Sequence, residues 1–467
     1  MKKIVKTILS AVCFCTLAFS AVGCMEEKLT AYEIAVQNGF QGTEAEWLLS
    51  LHGENGKDGE DLDAEALYQT AKEHGYEGSF LDFCETLNIS VSQNNDIVTI
   101  AENVRSVVSV YCRSSKTTTS TSFLGNPIPK VTYQSQAGSG VIVDLNKEAG
   151  SALIITNYHV IHNLDSDQKG ILSDIWVYPY GAYNAFTAEK GSYNDDGIKV
   201  TFVGGAMDYD VAILKVEGSE YIKNSVLTEA KIGQSDKVQV GEETFVIGNP
   251  AGAGISVTNG ILSVPSEYIQ IAALDERDED RDGSVDGVSY RVMRTSAAIN
   301  PGNSGGGLFN AKGELIGIVN AKSANSTTDN MGYALPITLV MGVYENILAN
   351  DESVVKQAYL GVMVSTKASK AVVDEDGLLS IVEEFTIVQA AGRGDSSYNK
   401  LNVGDVFISA SVNGGEEWVF TRRHHLTDLL LSVRKGDTVR FTVRNASGKI
   451  VQVSITFDKD NYFKIYG

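Results

Sequence analysis

The chain has 467 residues, with 59 acidic against 38 basic side chains and a net charge of −21. That length is too great for one ordinary core and predicts two or three domains. That charge excludes attraction to nucleic acid or anionic lipid through the average field, and 45 Gly against 7 Pro predicts a turn-rich, mainly β fold.

The first 24 residues read as an export leader. Lys2, Lys3 and Lys6 form a basic start, and Ile8 to Phe19 is apolar but too short to span a bilayer. Ser-Ala-Val-Gly-Cys (20–24) resembles the lipobox of bacterial lipoproteins, with Ala21 where leucine is usual. The resemblance implies removal of 1–23, lipidation of Cys24, a short tether over 24–30, and a place at the cell envelope outside the cytoplasm. No later stretch is apolar and long enough for a membrane helix. Cys13 and Cys15 lie in the leader, so only Cys84 and Cys112 remain. They either pair or stand as separate thiols, and no disulfide framework is evident.

Residues 31–90 contain a repeat. Tyr-Glu-Ile-Ala-Val-Gln-Asn-Gly-Phe-Gln-Gly (32–42) matches Tyr-Gln-Thr-Ala-Lys-Glu-His-Gly-Tyr-Glu-Gly (68–78). Each unit predicts a short helix, a glycine stop and a second helix, with Thr43 and Glu46 fitting a capping box. They read as spacers or adhesion elements, with no chemistry visible in them.

From about 97 the pattern turns to β. The runs 137–143, 152–157, 211–216 and 314–320 are short, apolar and β-branched, bounded by Gly, Asn and Asp. They predict a sandwich or barrels. The Thr/Ser-rich segment 114–122 reads as a flexible loop. A second β-rich unit begins near 355, with a short helix over His424 to Val433 and closing strands to Phe457.

A serine nucleophile needs a base, a group that orients the base, and donors for the oxyanion. Ser304 stands in Asn-Pro-Gly-Asn-Ser-Gly-Gly (300–306), where glycines allow a tight turn that can aim the amides of Gly302 and Ser304 at one point. Of six histidines, only His159 and His162 fall in the β-rich region. His159 follows a strand directly, a rigid mount. Asp210 precedes the strand 211–216, with Asp208 as its rival. The order His159, Asp210, Ser304 is that of the chymotrypsin-type triad.

Three blocks make the resemblance specific. Thr-Asn-Tyr-His-Val (156–160), Asp-Tyr-Asp-Val-Ala-Ile-Leu-Lys-Val (208–216) and Ala-Ala-Ile-Asn-Pro-Gly-Asn-Ser-Gly-Gly-Gly-Leu (297–308) resemble the catalytic blocks of the HtrA/DegP family of trypsin-like serine proteases. Gly-Asn-Pro-Ala-Gly (248–252), Val-Thr-Asn-Gly-Ile-Leu-Ser (257–263) and Gly-Tyr-Ala-Leu-Pro-Ile (332–337) extend it. Ser296 stands where the family usually has an aspartate. The resemblance implies a chymotrypsin-like double β-barrel over 97–345. It implies a serine endopeptidase acting on unfolded or exposed polypeptides, without a cofactor, with Asp210 rather than Asp208 as the triad acid. A peptide-binding chaperone or adaptor with little turnover is the alternative, and a surface adhesin is a third reading.

Ala298, six residues before Ser304, corresponds to the base of the specificity pocket in trypsin-like proteases. With no acid there, small or medium aliphatic side chains are expected before the cut. Residues 355–460 resemble a PDZ-like α+β domain, in which Leu360, Gly361 and Val362 would receive the carboxylate of a peptide C-terminus. Trimers are common in the family, which admits a homotrimer.

One motif stands apart. Asp278, Asp280, Asp282 and Gly283 fit the start of an EF-hand calcium loop, but Ser289 replaces the glutamate at the twelfth position. An acidic solvated loop is the plainer reading.

Overall fold

The computed structural model describes residues 94–182, 196–279, 281, 284–320, 331–350, 353–373 and 378–467, together with Lys72. The chain divides into two units, Met1–Ile97 and Val98–Gly467, and every strand among the described residues belongs to the second. The leader, Cys24, Cys84 and the expected spacer repeats, Lys72 aside, lie outside the described residues.

Helix α1 (Asn94–Val104) leads into a long hairpin of β1 (Val107–Thr121) and β2 (Pro127–Asn146). Its ladder runs unbroken from Val107 opposite Val141 to Thr121 opposite Pro127. The expected flexible loop over 114–122 is therefore incorrect, since 114–121 continue β1. Thr117 to Thr121 lack apolar alternation, which hid the strand. Threonine nonetheless suits extended backbone, and β2 satisfies the backbone groups.

The first barrel is completed by β3 (Ser151–Thr156), followed by the single turn α2 (Tyr158–Ile161) and the two-residue strands β4 (His162–Asn163) and β5 (Gly170–Ile171). Then come β6 (Asp174–Pro179), β7 (Ile198–Ala206) and β8 (Val211–Val216). Strands β1, β2, β3, β8, β7 and β6 close on themselves. Alternate residues such as Val110, Ile142, Ile154, Ile175 and Leu214 fill the interior, as a six-stranded barrel requires. Cys112 is buried there as a thiol, its sulfur 3.5 Å from the Val160 carbonyl. Burial pushes that thiol far above its ordinary range.

The second barrel uses β9 (Lys231–Ile232), β10 (Glu243–Gly248), β11 (Ser256–Ala272), β12 (Gly287–Thr295), β13 (Gly307–Asn310), β14 (Glu314–Val319) and β15 (Gly332–Pro336). Pairings β10–β11, β11–β12, β12–β15, β15–β14, β14–β13 and β13–β10 form a ring, with β9 added along β14. Val246, Leu262, Met293, Leu308 and Ile316 fill it. A further cluster joins the barrels, packing Val141, Ile155 and Ile213 with Ile247, Val292 and Phe309. The chain thus has the expected chymotrypsin-like double barrel.

Helix α3 (Ile337–Leu348) connects to β16 (Val355–Ala358), β17 (Met363–Val373), β18 (Leu379–Gln389), β19 (Val406–Val412), β20 (Glu417–Val419), helix α4 (Arg423–Ser432), β21 (Thr438–Arg444), β22 (Ile450–Thr456) and β23 (Phe463–Tyr466). The sheet order is β17-β18-β19-β21-β22, with β20 on β19. Phe385, Phe407, Leu429, Phe441 and Phe457 form its core. This is the expected α+β unit. The chain does not close at Phe457, however, since β23 returns to pair with β16.

The α+β unit shares buried surface with the barrels. Leu431 of α4 and Val355 of β16 belong to the inter-barrel cluster. Arg291 Nη1 on β12 lies 2.8 Å from Asp428 Oδ2 on α4, both nearly buried. Asn346 Nδ2 on α3 donates to the Leu431 carbonyl at 2.7 Å.

Candidate active site

His159 is held by the turn it sits on. Strand β3 ends at Thr156, and buried Asn157 caps the single turn α2. Asn157 Nδ2 donates to the Asp210 carbonyl at 2.9 Å, which ties the cap to the turn bearing the acid.

Asp210 ends the 3₁₀ turn Met207–Tyr209, just before β8, in the left-handed region at φ 51°. Aspartate tolerates that region better than most side chains. Its carboxylate is 1% exposed, and such burial demands partners. It has three. The His159 N–H donates to Oδ1 at 2.9 Å. His159 Nδ1 and Asn320 Nδ2 lie 2.7 Å and 2.9 Å from Oδ2. An ionised carboxylate only accepts, so the ring proton sits on Nδ1 and Nε2 is left as an acceptor. His159 Nε2 is 2.9 Å from Ser304 Oγ. The rival Asp208 faces elsewhere and pairs with Arg277.

Ser304 rides on a turn fixed from three sides. Gly302 has φ 101° and Gly305 has φ 84°. A Cβ at Gly302 would come within 2.3 Å of the Asn249 carbonyl, and one at Gly305 within 2.1 Å of the Ser139 carbonyl. Both positions therefore require glycine. Ser139 N–H donates to the Ser304 carbonyl at 2.8 Å. Ser139 Oγ donates to the Gly302 carbonyl and accepts from the Asn249 N–H, each at 2.8 Å. Ala251 N–H donates to the Pro301 carbonyl at 2.7 Å, from a backbone with φ 55°.

His159 and Ser304 open onto a cleft of about 570 Å³, which Gly302, Leu274 and His162 also line. Ala298 is exposed and is not among the cleft-lining residues. Its carbonyl accepts from Thr258 Oγ1 at 2.9 Å. Ser139, Ala251 and Asn320 were not singled out from the sequence. Asn320 left one trace, a polar residue closing the apolar run of β14.

In the α+β unit, buried Leu360 precedes the edge strand β17. The Tyr359 and Leu360 carbonyls accept from Ser396 Oγ at 2.6 Å and Ser397 Oγ at 2.7 Å. Gly361 has φ 81°, and a Cβ there would lie 2.4 Å from Asp395 Oδ2. Val362 is half-buried against the sheet core.

The calcium-like segment is the tip of the β11–β12 hairpin, so strands flank it rather than the helices of an EF-hand. Asp280, Asp282 and Gly283 lie outside the described residues. Asp286 Oδ2 accepts from the Glu279 N–H at 2.8 Å, an ordinary turn contact.

A buried acid, an oriented imidazole and a serine hydroxyl in line, between two six-stranded barrels, define the class: a trypsin-like peptidase. The family described as trypsin-like peptidase domain matches residues 138–318. The chain is 27% identical over 390 residues to "Serine protease Do-like HtrA" of Lactococcus lactis subsp. cremoris, covering 80% of this chain and 85% of that protein. It is 33% identical over 228 residues to "Serine protease Do-like HtrB" of Bacillus subtilis, covering 48% of this chain and 41% of that protein, less than half the relative's length. A solved structure, "HtrA-type protease AlgW with decapeptide", aligns with 80% of this chain and 99% of its own at 22% identity and a TM-score of 0.48. The chain carries a trypsin-like peptidase domain and is a homologue of the HtrA/DegP serine proteases.

Proposed function

We propose that this chain is an endopeptidase that cuts unfolded or exposed polypeptides, with Ser304 as nucleophile, His159 as general base and Asp210 as the acid that orients it. The carrying observation is the unbroken path from Asp210 Oδ2 through His159 to Ser304 Oγ, with steps of 2.7 Å and 2.9 Å. His159 Nε2 takes the serine proton as Oγ attacks the peptide carbonyl. The resulting imidazolium is stabilised by Asp210 and gives that proton to the leaving amine. Water then repeats the sequence on the acyl-enzyme.

The oxyanion forms against the amides of Gly302 and Ser304, worth roughly 3–4 kcal/mol per donor. The clamp on the Pro301 carbonyl supports this reading. In a trans peptide the Gly302 N–H points away from that carbonyl, and the carbonyl is engaged by Ala251. Ala298, though exposed and outside the cleft lining, holds the position six before Ser304 that sets specificity in trypsin-like proteases; the lack of an acid there favours small or medium aliphatic residues before the cut.

The α+β unit binds peptide C-termini in the PDZ manner, through Leu360, Gly361 and Val362 and the open edge of β17. Cys24 carries a lipid anchor, which places the catalytic unit at the envelope outside the cytoplasm. One relative is named "Probable periplasmic serine endoprotease DegP-like", in keeping with that place. A homotrimer fits the family. Casein digestion by the full chain and by Ser304→Ala tests the reading: the variant should lose all turnover above background. Equal activity in both would overturn it.

A further inference from the structure

We propose that the outer part of the β1–β2 hairpin is a finger that inserts its Phe123–Leu124 tip into the headgroup region of a bilayer containing anionic lipid. Nearly all of residues 117–135 are exposed. At about 3.3 Å per residue, the ribbon from Lys116 to Thr121 extends about 20 Å beyond the barrel. An isolated two-stranded ribbon is only marginally stable in water, so an ordered one gains from a covering partner.

The tip is built to present two apolar side chains. Ser122 N–H donates to the Asn126 carbonyl at 2.8 Å, and Asn126 N–H donates to Ser122 Oγ at 2.9 Å. Between them Phe123 is 104% and Leu124 82% exposed, the two highest values among the large hydrophobic side chains described. Strand alternation puts Pro127, Pro129, Val131 and Tyr133 on one face of β2, and Val131 and Tyr133 are themselves about half exposed.

Charge separates a bilayer from other occupants. In a chain of net charge −21, no Asp or Glu occurs between Arg113 and Val143. Arg113 and Lys116 are paired at the base with Asp174 and Asp165. The outer arm, 117–135, therefore carries one charge of its own, the cation Lys130. A carboxylate-free, apolar tip with a nearby lysine suits an interface of acyl chains and anionic headgroups. The net charge of −21 opposes a second copy and an anionic surface alike, so what favours the bilayer is the local absence of carboxylates from the tip. A partner that adds a strand along the β2 edge meets Pro127 and Pro129, which lack amide donors. This inference does not depend on the protease reading, and it shares only the bilayer with the Cys24 reading.

The test uses the whole chain with vesicles of phosphatidylethanolamine and phosphatidylglycerol bearing brominated acyl chains. Phe123→Trp places an indole at the tip, and Val226→Trp places one at another exposed apolar site, 71% exposed on the body. Wild-type emission is subtracted from both. The tip indole should shift to the blue and be quenched about twofold or more beyond the control, and less so in phosphatidylcholine vesicles. Any N-terminal anchor brings both variants to the surface equally, so equal quenching overturns the proposal. The double variant Phe123→Ser/Leu124→Ser should keep its sedimentation behaviour without lipid. A change of oligomeric state there, with no tip quenching, would assign the finger to contact between copies and also overturn it.

Discussion

Asn320 Nδ2 donates to Asp210 Oδ2 at 2.9 Å, the same oxygen that faces His159 Nδ1. Asn320 directly follows β14 of the second barrel, so the acid of the first barrel is held partly from the second. Replacing it by leucine leaves Asp210 buried with one donor fewer. Asn320→Leu should lower kcat about ten- to a hundredfold with KM little changed, because geometry rather than binding is lost. Steady-state hydrolysis of a peptide substrate reads this, and an unchanged kcat would refute the positioning role.

Ala251 makes a second prediction. Its N–H holds the Pro301 carbonyl at 2.7 Å, from a left-handed backbone. Ala251→Pro removes the donor and cannot adopt that backbone, so the Pro301–Gly302 peptide is released. A loss of about a hundredfold in kcat is expected, the scale of one oxyanion donor. Ala251→Gly keeps the N–H and suits the backbone better, so it should remain near wild type. Equal loss in both would show that the turn matters for folding alone.

The contact between β12 and α4 should tune stability with pH. Burial pushes the Asp428 carboxyl up to about 6 from an ordinary 3.8, against the pull of Arg291. Burial pushes His424 down to about 4 from 6.5. Asp236 and His425 are the other titratable groups there, and burial lowers His425 as well. The signs oppose. The Asp428 contribution is complete below pH 3.8 and is lost as pH rises through 6. The His424 contribution is complete above pH 6.5 and is lost as pH falls through 4. Each amounts to roughly 3 kcal/mol across its window, at about 1.4 kcal/mol per pH unit. Between pH 6.5 and 4.5 the urea midpoint of Asp428→Asn should therefore fall more steeply than that of wild type. That of His424→Gln should fall less steeply or rise. Parallel slopes in all three proteins would refute both assignments.

Asp395 bears on the peptide site. Its Oδ2 accepts from the Gly392 N–H at 2.8 Å and sits against Gly361. A carboxylate beside a loop proposed to receive another carboxylate works against binding. Asp395→Asn should tighten a peptide with a free C-terminus about three- to tenfold, more at low salt. The same peptide with an amidated C-terminus should show no gain. Titration by fluorescence anisotropy measures both, and equal gains would remove Leu360–Val362 from carboxylate recognition.

Much of the architecture was readable because its signals are local. Strands β3, β8 and β14 are short apolar runs with polar bounds, and Gly302 and Gly305 betray a turn no other residue can make. Ser139, Ala251 and Asn320 were hidden because their roles arise from partners more than a hundred positions away, Pro301 apart. An asparagine that holds a buried acid looks like any asparagine at a strand end. The arm was hidden for a different reason. A run of threonine and serine carries no apolar period, and its ladder depends on β2. The return of β23 to β16 joins segments about a hundred residues apart, through four pairs in which the β23 side chains are half-buried or exposed and carry no apolar period.

Cys112 lends itself to measurement. Its thiol lies inside the first barrel, against the carbonyl of the residue after His159, and burial keeps it protonated. An alkylating reagent can reach it only when the barrel opens. The labelling rate at Cys112, read by peptide mass, is thus a clock for local opening behind the imidazole, and it needs no introduced probe.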